Sequence, residues 1–379
     1  MIFVRGARTG RRARVYFGTE CFSYALRAAK RRAFFVLREL LVKYVRAVFT
    51  FSKIHGIMKK DFTAERRAVF AKKVKSYAKV NLSLNILGQK DGYHLIDSVV
   101  ANIDVWDTVC AKPRSDRLIN VYMHGLGSEN IPPEKNNAVK AGEAFASAFG
   151  TKGADIEIYK DIPMGAGLGG SSADAAGVLN VLAKLYKVKD RAALKSLADA
   201  LGSDTGYMLS GGFARIAGRG EKVQPLDCKR RLYMLLFLPG EGVSSGECYR
   251  EYDRCPDAPR TDSAGLAQAL SAGDFSGIAE NVYNALGAPA ARLSDGVKEA
   301  LSAAASFNPS AYAVTGSGSG VFALFEGEEL CRWAKSRYKG KLRTRVVRTV
   351  MPKDAKVSRL ASPFALTEEE ISRAKGEDE

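Results

Sequence analysis

Residues 163–176 form the segment best suited to bind a ligand through its backbone, and they read PMGAGLGGSSADAA. Four glycines within six residues let main-chain N–H groups approach an anion without interference from Cβ atoms. The stretch after Ser172 is rich in Ala, Val and Leu and predicts a helix, so the anion would lie at a helix N-terminus. Unpaired donors and the helix dipole both favour negative charge there. The sequence therefore predicts a phosphate-binding loop, which consists of Pro163, Gly165, Gly167, Leu168, Gly169, Gly170, Ser171 and Ser172.

The two serines of this loop have two possible roles. Ser171 or Ser172 could cap the following helix, or could ligate a magnesium ion bound to the phosphates. The loop is not the pattern G-x-x-x-x-G-K-[ST], because no lysine follows the glycines, and no β-branched strand leads tightly into it as in a dinucleotide-binding fold. A Gly- and Ala-rich turn needed only for close packing is the alternative that this motif leaves open.

Two further segments lie on either side of this loop in the sequence. Residues 77–94 read YAKVNLSLNILGQKDGYH, and residues 314–322 read VTGSGSGVF. Together with the glycine loop they resemble the three motifs of the GHMP kinases, a family of ATP-dependent kinases of small molecules. Smaller matches follow in residues 201–204, 239–249 and 284–289, so that the resemblance extends over about residues 75–345.

Residues 78–81 and 91–94, reading AKVN and DGYH, are similar to the branch of this family that acts on cytidine diphosphate-methylerythritol. The resemblance implies transfer of the γ-phosphoryl group of ATP, with Mg²⁺, to the 2-hydroxyl of 4-diphosphocytidyl-2-C-methyl-D-erythritol in the non-mevalonate isoprenoid pathway. A mevalonate-type kinase, a homoserine kinase or a decarboxylating relative is the alternative within the family. The DGYH segment separates these possibilities, because the other relatives have no cytosine to recognise.

Phosphoryl transfer needs an alcohol held in line, neutralisation of the phosphate charge and an acceptor for the hydroxyl proton. By resemblance, Asp204 is the catalytic aspartate that accepts the proton or orients the hydroxyl, and Lys79 holds that carboxylate and the transferring group by charge. A helix cap is the alternative role for Asp204, and a surface lysine is the alternative for Lys79. The family usually has a hydrophobic residue and a proline after the aspartate, whereas this chain has Thr205 and Gly206, which leaves the backbone position of Asp204 open.

Recognition of the nucleobase would depend on the aromatic residues of the DGYH segment. His94 can pair with the Watson–Crick edge of cytosine, and Tyr93 can stack on the ring, while by resemblance Tyr249 would close the other face. A hairpin-end pair that packs on the sheet is the alternative for Tyr93 and His94. Asn81 and Asn284 are weaker candidates to bind the erythritol and diphosphate groups, because buried asparagines often only satisfy backbone.

The composition suits a soluble enzyme with a basic N-terminal end. A chain of 379 residues is long enough for two domains with hydrophobic cores, and 46% hydrophobic with 26% charged residues is ordinary for a globular protein. Residues 1–75 hold 20 Lys and Arg against 4 Asp and Glu, which accounts for +16 of the formal charge of +17. The kinase-like region is therefore nearly neutral, and we expect a small-molecule substrate and no nucleic-acid partner for it. The sequence gives no indication of the oligomeric state.

Residues 1–70 are interpreted as a basic extension, and one interpretation is a downstream start, for example at Met58, that leaves most of it outside the working protein. Residues 33–51 suit an amphipathic helix, and charges interrupt them too often for a membrane span. An organellar transit peptide, or an arm that binds RNA or an anionic membrane surface, is the alternative. If that arm were the function, the protein would be a non-catalytic binder whose salt-dependent binding disappears on deletion of residues 1–57.

The cysteines and histidines argue against a metal site. The six cysteines include no C-x-x-C pair and have no histidine nearby at metal-ligand spacing, which favours reduced thiols in a cytoplasmic protein. The three histidines are too few and too scattered for a catalytic metal, and only His94 lies in a motif.

The alternation of elements after the extension predicts an α+β fold. Residues 80–86 alternate apolar and polar as a half-buried strand does, and residues 89–92 supply a turn. Further strands are predicted at 96–105, 118–124, 154–159 and 231–238, and helices at 172–186 and 190–201.

The resemblance implies a two-domain GHMP kinase fold, with an N-terminal domain like ribosomal protein S5 domain 2 and a ferredoxin-like C-terminal domain. We expect the ATP-binding domain at residues 71–225, the second domain at 226–350 and a C-terminal tail at 351–379. The tail contains a capping box formed by Thr367 and Glu370.

Overall fold

The computed structural model describes residues 72–125, 131–132, 134, 136–254 and 261–351. The basic extension, the helix predicted at 33–51 and the capping box of the tail lie outside these residues. In chain order the elements are β1 (Lys72–Lys90), β2 (Tyr93–Pro113), β3 (Ile119–His124), α1 (Asn137–Phe149), β4 (Ala154–Tyr159), α2 (Gly170–Tyr186), α3 (Arg191–Leu201), α4 (Thr205–Ser210), β5 (Phe213–Gly218), β6 (Lys222–Leu226) and β7 (Tyr233–Leu238). They continue with α5 (Ser245–Asp253), α6 (Ser263–Ala272), α7 (Phe275–Glu280), β8 (Tyr283–Asn284), α8 (Gly287–Leu293), α9 (Asp295–Ala305), β9 (Ala311–Val314), β10 (Val321–Phe325), α10 (Glu328–Arg337) and β11 (Arg343–Arg348).

The first sheet has seven strands built around the long hairpin of β1 and β2. Its order is β3-β4-β2-β1-β8, and β5 pairs with β2 and with β6. Asp91 and Gly92 connect β1 to β2 with φ values of 53° and 79°. Two consecutive positive φ angles favour Asp-Gly in a two-residue hairpin turn, as predicted for this segment. The turn leaves Tyr93 and His94 at the start of β2.

The second sheet has four antiparallel strands in the order β11-β7-β10-β9. Helices separate β7 from β9, and α10 separates β10 from β11, so the elements follow the β-α-β-β-α-β order of a ferredoxin-like domain. Buried residues of α8, α9 and α10 pack with β7, β9 and β10 in the core of this half. The α+β fold and the ferredoxin-like second half expected from the resemblance are confirmed.

Strand β1 is buried on both of its faces, so the prediction of a half-buried strand is wrong for this part of the sheet. Val80 and Leu82 lie in the core, but Asn81, Ser83 and Asn85 are also buried. Residues distant in sequence bond these polar side chains. Asn85 donates to the carbonyl of Thr261 and accepts from its N–H.

Residues 263–284 return to the first sheet after the second one has begun. Helix α6 packs against β2 and β6, and β8 pairs in parallel with β1 through Ser83 and Leu84. The domain limits at 71–225 and 226–350 stay a prediction.

The predicted helices and strands of the first half are present. Strand β4 has the predicted limits, and α2 begins two residues before the predicted start. Helix α2 is buried on nearly all sides, since most of its residues from Ala173 to Ala183 are inaccessible. Among the residues that the structure describes, no helix combines the length and the apolar character needed to cross a lipid bilayer.

Candidate active site

A cavity of about 910 Å³ lies where the glycine loop, the β1–β2 hairpin, helix α5 and residues 316–318 meet. Every residue predicted for the site lines this cavity except Asn284. The described structure therefore brings together segments up to about 240 positions apart in the sequence. Lys160, Asp174, Arg219 and Asp253 also line it, and the sequence analysis had assigned none of them a role.

The glycine loop is held by hydrogen bonds from both sheets. The carbonyl oxygens of Gly165 and Ala166 accept from the N–H groups of Ser319 and Gly320 at 3.0 and 3.3 Å. The carbonyl of Leu168 accepts from the N–H of Lys79 at 3.0 Å. Because these carbonyl oxygens point towards other segments, they do not place negative charge in the cavity beside the N–H groups of the loop.

Two glycines of the loop have positive φ and no room for a side chain. Gly167 has a φ of 68°, and a Cβ atom there would lie 1.9 Å from the carbonyl oxygen of Thr315. Gly169 has a φ of 73°, and a Cβ atom there would lie 2.5 Å from Cε of Met208 and 3.2 Å from Cγ of Lys79. These glycines therefore allow the close packing that the first alternative requires. They also shape a cavity that is lined by backbone.

Helix α2 begins at the end of this loop without a side-chain cap. Its N-cap residue is Gly169, and no side chain bonds to the free N–H groups of the first turn. Of the two roles considered for Ser171 and Ser172, neither serine caps the helix, because Gly169 is the N-cap residue and the helix begins before the serines are reached. An uncapped helix N-terminus that opens on a cavity has its donors available to an anion.

The two serines lie inside the first turn and differ in their contacts. The Ser171 hydroxyl accepts from the side-chain amide of Asn137 at 3.1 Å. The Ser172 hydroxyl has no hydrogen-bond partner within the part of the chain that the structure describes. Ser172 therefore has an oxygen available to a ligand at the edge of the cavity.

Lys79 and Asp204 form an ion pair in the cavity wall. The Nζ atom of Lys79 lies 3.3 Å from Oδ2 of Asp204 and donates to Oδ1 of Asn81 at 2.6 Å. Lys79 is only 4% exposed, so it is not a surface lysine. Asp204 precedes α4 as its N-cap residue, but its side chain makes no capping hydrogen bond. Its carboxylate is therefore free to act in the cavity.

The Thr205-Gly206 departure from the family pattern has a local explanation. Thr205 is fully buried, and a Cβ atom at Gly206 would lie 2.0 Å from Oδ1 of Asp199. The short helix α4 packs this closely on α3 and still presents Asp204 to Lys79.

Asn81 and Asn284 both serve the loop that follows β9. Oδ1 of Asn81 accepts from the N–H of Gly316 at 3.0 Å as well as from Lys79. The side-chain amide of Asn284 donates to the carbonyls of Val314 and Gly316 at 2.7 and 2.8 Å, and its Oδ1 accepts from the N–H of Leu286. The polar atoms of Asn284 are thus used by backbone, and this residue lies outside the cavity lining, whereas Asn81 lines the cavity.

The other end of the cavity is aromatic. Tyr93 is 58% exposed, and the guanidinium of Arg219 lies 4.6 Å from the centre of its ring. The rings of His94 and Tyr249 stack with centroids 4.6 Å apart. His94 therefore covers one face of Tyr249, and a base could reach this tyrosine only from its other face or edge. Burial, with the nearby charge of Asp204, raises the pKa of the Tyr249 hydroxyl well above its ordinary value.

A cluster of buried charged residues lies next to the glycine loop. Nζ of Lys160 contacts a carboxylate oxygen of Asp107 and one of Asp174, while the other oxygen of Asp107 accepts from the N–H groups of Asp161 and Ile162. Burial, opposed by Lys160, raises the pKa of Asp174 to about 8. Burial lowers the pKa of Lys160, but the two carboxylates outweigh it and raise that pKa overall. Asp174 lies in the glycine motif, but no local sequence pattern reveals its contact with Lys160.

The amino-acid sequence matches the models of both domains of the GHMP kinases. Residues 136–216 match the GHMP kinases N terminal domain, and residues 266–338 match the GHMP kinases C terminal domain. The chain is 34% identical to the 4-diphosphocytidyl-2-C-methyl-D-erythritol kinase of Clostridium acetobutylicum over 262 residues, which cover 67% of this chain and 90% of that protein. It is 33% identical to the enzyme of the same name from Clostridium beijerinckii over 288 residues, which cover 73% of this chain and all of that protein.

Solved structures show the same relation. A crystal structure of a 4-(cytidine 5'-diphospho)-2C-methyl-D-erythritol kinase matches with a TM-score of 0.62 and 30% identity, covering 74% of this chain and 100% of that chain. Homoserine kinase from Cytophaga hutchinsonii matches with a TM-score of 0.57 at 18% identity, covering 74% of this chain and 94% of that chain, which shows a common fold only.

Proposed function

The chain belongs to the 4-diphosphocytidyl-2-C-methyl-D-erythritol kinases of the GHMP kinase family, and we propose that its cavity carries out their reaction with the residues described above. It is a phosphotransferase of the non-mevalonate isoprenoid pathway that uses ATP as phosphate donor. The acceptor is the 2-hydroxyl of the cytidine diphosphate-methylerythritol substrate. The observation that carries this assignment of roles is the Lys79–Asp204 ion pair beside an uncapped helix N-terminus in one cavity.

The phosphates of ATP would bind along the glycine loop, at residues 163–172. The first turn of α2 offers N–H groups that no side chain caps, and the helix dipole adds positive potential at the same place. No acidic residue lies in that first turn to repel the nucleotide. These features support the glycine loop as the phosphate subsite.

Oxygen ligands for Mg²⁺ are present next to this subsite. Mg²⁺ prefers oxygen donors and commonly takes one or two of them from protein and the others from phosphates and water. The Ser172 hydroxyl has no partner among the described residues, and Oδ1 of Asp174, two residues later, is buried without a hydrogen bond. Ser172 would hold the ion with the phosphate oxygens, and the ion would neutralise phosphate charge during transfer.

Asp204 would act on the hydroxyl of the acceptor. Its carboxylate can accept the hydroxyl proton or orient the oxygen towards the phosphorus atom. Lys79 lies 3.3 Å from this carboxylate and is oriented by Asn81, so it holds the carboxylate by charge and places a positive charge where the phosphoryl group passes. Both contributions act on the transition state more than on ATP binding.

The aromatic end of the cavity would bind the nucleobase. Tyr93 offers an exposed ring face for stacking, and His94 offers ring and backbone groups for the edge of cytosine. Uridine presents a carbonyl where cytidine presents an amino group, so a site built for cytosine leaves polar groups unpaired with uridine. Each unpaired group costs roughly 1–3 kcal/mol, or about one to two orders of magnitude in kcat/KM.

We also propose a cytoplasmic location. Cys228, Cys248 and Cys331 are free thiols, as expected for a reducing compartment. Burial raises the pKa of the Cys248 thiol to about 11, which keeps this group protonated and unreactive.

A coupled assay of ADP release tests the proposed function directly. The purified chain is given ATP and Mg²⁺ with cytidine diphosphate-methylerythritol, its uridine analogue, mevalonate or homoserine. We expect turnover with the cytidine compound, at least about tenfold lower kcat/KM with the uridine analogue, and none with the other two. Preferred use of mevalonate or homoserine would replace the proposal by another kinase of the same fold, and equal use of both nucleotides would remove base recognition from His94.

A further inference from the structure

Asp253, the last residue of α5, forms a direct contact with the ring of His94. Oδ1 of Asp253 lies 2.7 Å from Nε2 of His94 and accepts from the side-chain amide of Gln89 at 3.0 Å. Stacking on Tyr249 and an edge contact with Tyr252, with centroids 6.4 Å apart, fix the plane of the ring. The His94 side chain is 14% exposed, so its orientation is defined by protein and not by solvent.

This contact decides which nitrogen of a neutral His94 carries the hydrogen. An ionised carboxylate only accepts hydrogen bonds, so Nε2 must be the protonated nitrogen and Nδ1 the acceptor. Nδ1 makes no hydrogen bond to any residue in the described part of the chain. His94 and Asp253 both line the cavity, so an acceptor is left available to a ligand there.

We infer that Asp253 is a positioning residue that makes the kinase prefer cytosine over uracil by holding His94 in the Nε2–H tautomer. The inference rests on the proposed function. Cytosine carries an amino group at position 4, which donates to an acceptor, whereas uracil carries a carbonyl oxygen there, which only accepts. A His94 ring that offers Nδ1 as an acceptor therefore bonds to the amino group of cytosine and repels the carbonyl oxygen of uracil.

Gln89 cannot replace the carboxylate in this role. Its side-chain nitrogen lies 2.8 Å from Nε2 of His94, and both nitrogens direct a hydrogen at the same oxygen of Asp253. An amide offers an oxygen at one end and N–H groups at the other. Once Asp253 is removed, Gln89 can turn either end towards the ring and stabilise either tautomer. The carboxylate is therefore the group that sets the direction of the hydrogen bond, and the amide follows it.

The first test compares kcat/KM for the cytidine and uridine substrates in the wild type, Asp253→Ala and Asp253→Asn. In Asp253→Ala we expect the cytidine-to-uridine ratio to fall at least about fivefold, mainly because KM for the cytidine substrate rises. Asp253→Asn keeps an oxygen that can accept from Nε2 and should retain more of the ratio. Glu247→Ala removes an exposed carboxylate from the same helix, outside the cavity lining, and should leave the ratio unchanged.

The second test observes the tautomer without any turnover. The chain has three histidines, so ¹⁵N-histidine labelling with a His94→Gln variant for assignment identifies the His94 ring by NMR. We expect the Nε2–H form in the wild type and a mixture in Asp253→Ala. A wild-type ring in the Nδ1–H form, or a cytidine-to-uridine ratio that survives in a folded Asp253→Ala, overturns the inference and leaves the proposed function intact. A wild type inactive on the cytidine substrate refutes the proposed function and the specificity role together.

Discussion

Gly167→Ala tests whether the contact between the glycine loop and the loop after β9 holds the cavity together. Gly167 has a φ of 68°, and a Cβ atom there would meet the carbonyl oxygen of Thr315 at 1.9 Å and that of Gly318 at 3.2 Å. Thr315 is fully buried, so its carbonyl cannot turn aside into solvent. One methyl group therefore forces the two loops apart.

The expected cost has two components. A left-handed backbone costs a residue with a Cβ atom roughly 1–2 kcal/mol relative to glycine. Displacing a buried backbone segment adds about 1–3 kcal/mol, as for other overpacked positions. Gly150→Ala is the matched control, because Gly150 has a φ of 59° and nothing within 4 Å of its Cβ position, so only the first component applies.

Thermal unfolding and the KM for ATP measure the two consequences. At roughly 2–4 °C per kcal/mol, Gly150→Ala should lower Tm by about 2–8 °C, and Gly167→Ala should lower it further by about 2–12 °C. Only Gly167→Ala should raise the KM for ATP, by about tenfold or more, because only there is the phosphate loop displaced. Equal melting temperatures with an unchanged KM for ATP would show that the two loops do not pack as described.

Other perturbations separate chemistry, nucleotide binding and stability. Asp204→Asn should lower kcat about a hundredfold or more with little change in ATP affinity, since the carboxylate acts on the hydroxyl; near wild-type turnover in a stopped assay would exclude this role. Ser172→Ala should raise the KM for Mg-ATP, and an unchanged value would remove the serine from the phosphate side. Lys160→Met should cost about 3–5 kcal/mol in urea unfolding, because it leaves two buried carboxylates without their cation. The exposed control Lys298→Met should lower the free energy of unfolding by less than about 1 kcal/mol. Equal losses in the two variants would show that Lys160 does not stabilise buried carboxyl groups.

A strand could be predicted from the sequence where it has one buried face and therefore an alternating pattern. Strand β4 has the predicted limits because apolar residues alternate with polar ones there, in the sequence ADIEIY, between polar segments. The hairpin strands β1 and β2 are far longer than the predicted 80–86 and 96–105, since both faces of β1 are covered. The covering residues, such as Ser263, lie about 180 positions later, and periodicity within β1 cannot reveal them.

The candidate site also contains one part that could be predicted from the sequence and another part that could not. The glycine loop was recognisable because close backbone approach requires glycine whatever the rest of the fold does. The sequence left open whether a serine caps the helix, and neither does, because Gly169 is the N-cap residue and the helix begins at Gly170. The contacts of Lys160 with Asp107, and of His94 with Asp253, join residues 53 and 159 positions apart. Such pairs depend on tertiary packing and leave no local pattern in the sequence.

Asn81 connects the catalytic pair to the contact that Gly167 makes. Its Oδ1 accepts from Lys79 and from the N–H of Gly316, while its backbone N–H donates to the hydroxyl of Thr315 at 3.1 Å. The same threonine presents its carbonyl oxygen to Gly167. A displacement of the loop after β9 is therefore transmitted to the phosphate loop through Thr315 and to the Lys79 ammonium through Asn81. Phosphate binding and orientation of the charge that assists transfer depend on one buried hydrogen-bonded unit, which explains why polar residues occupy an otherwise apolar strand.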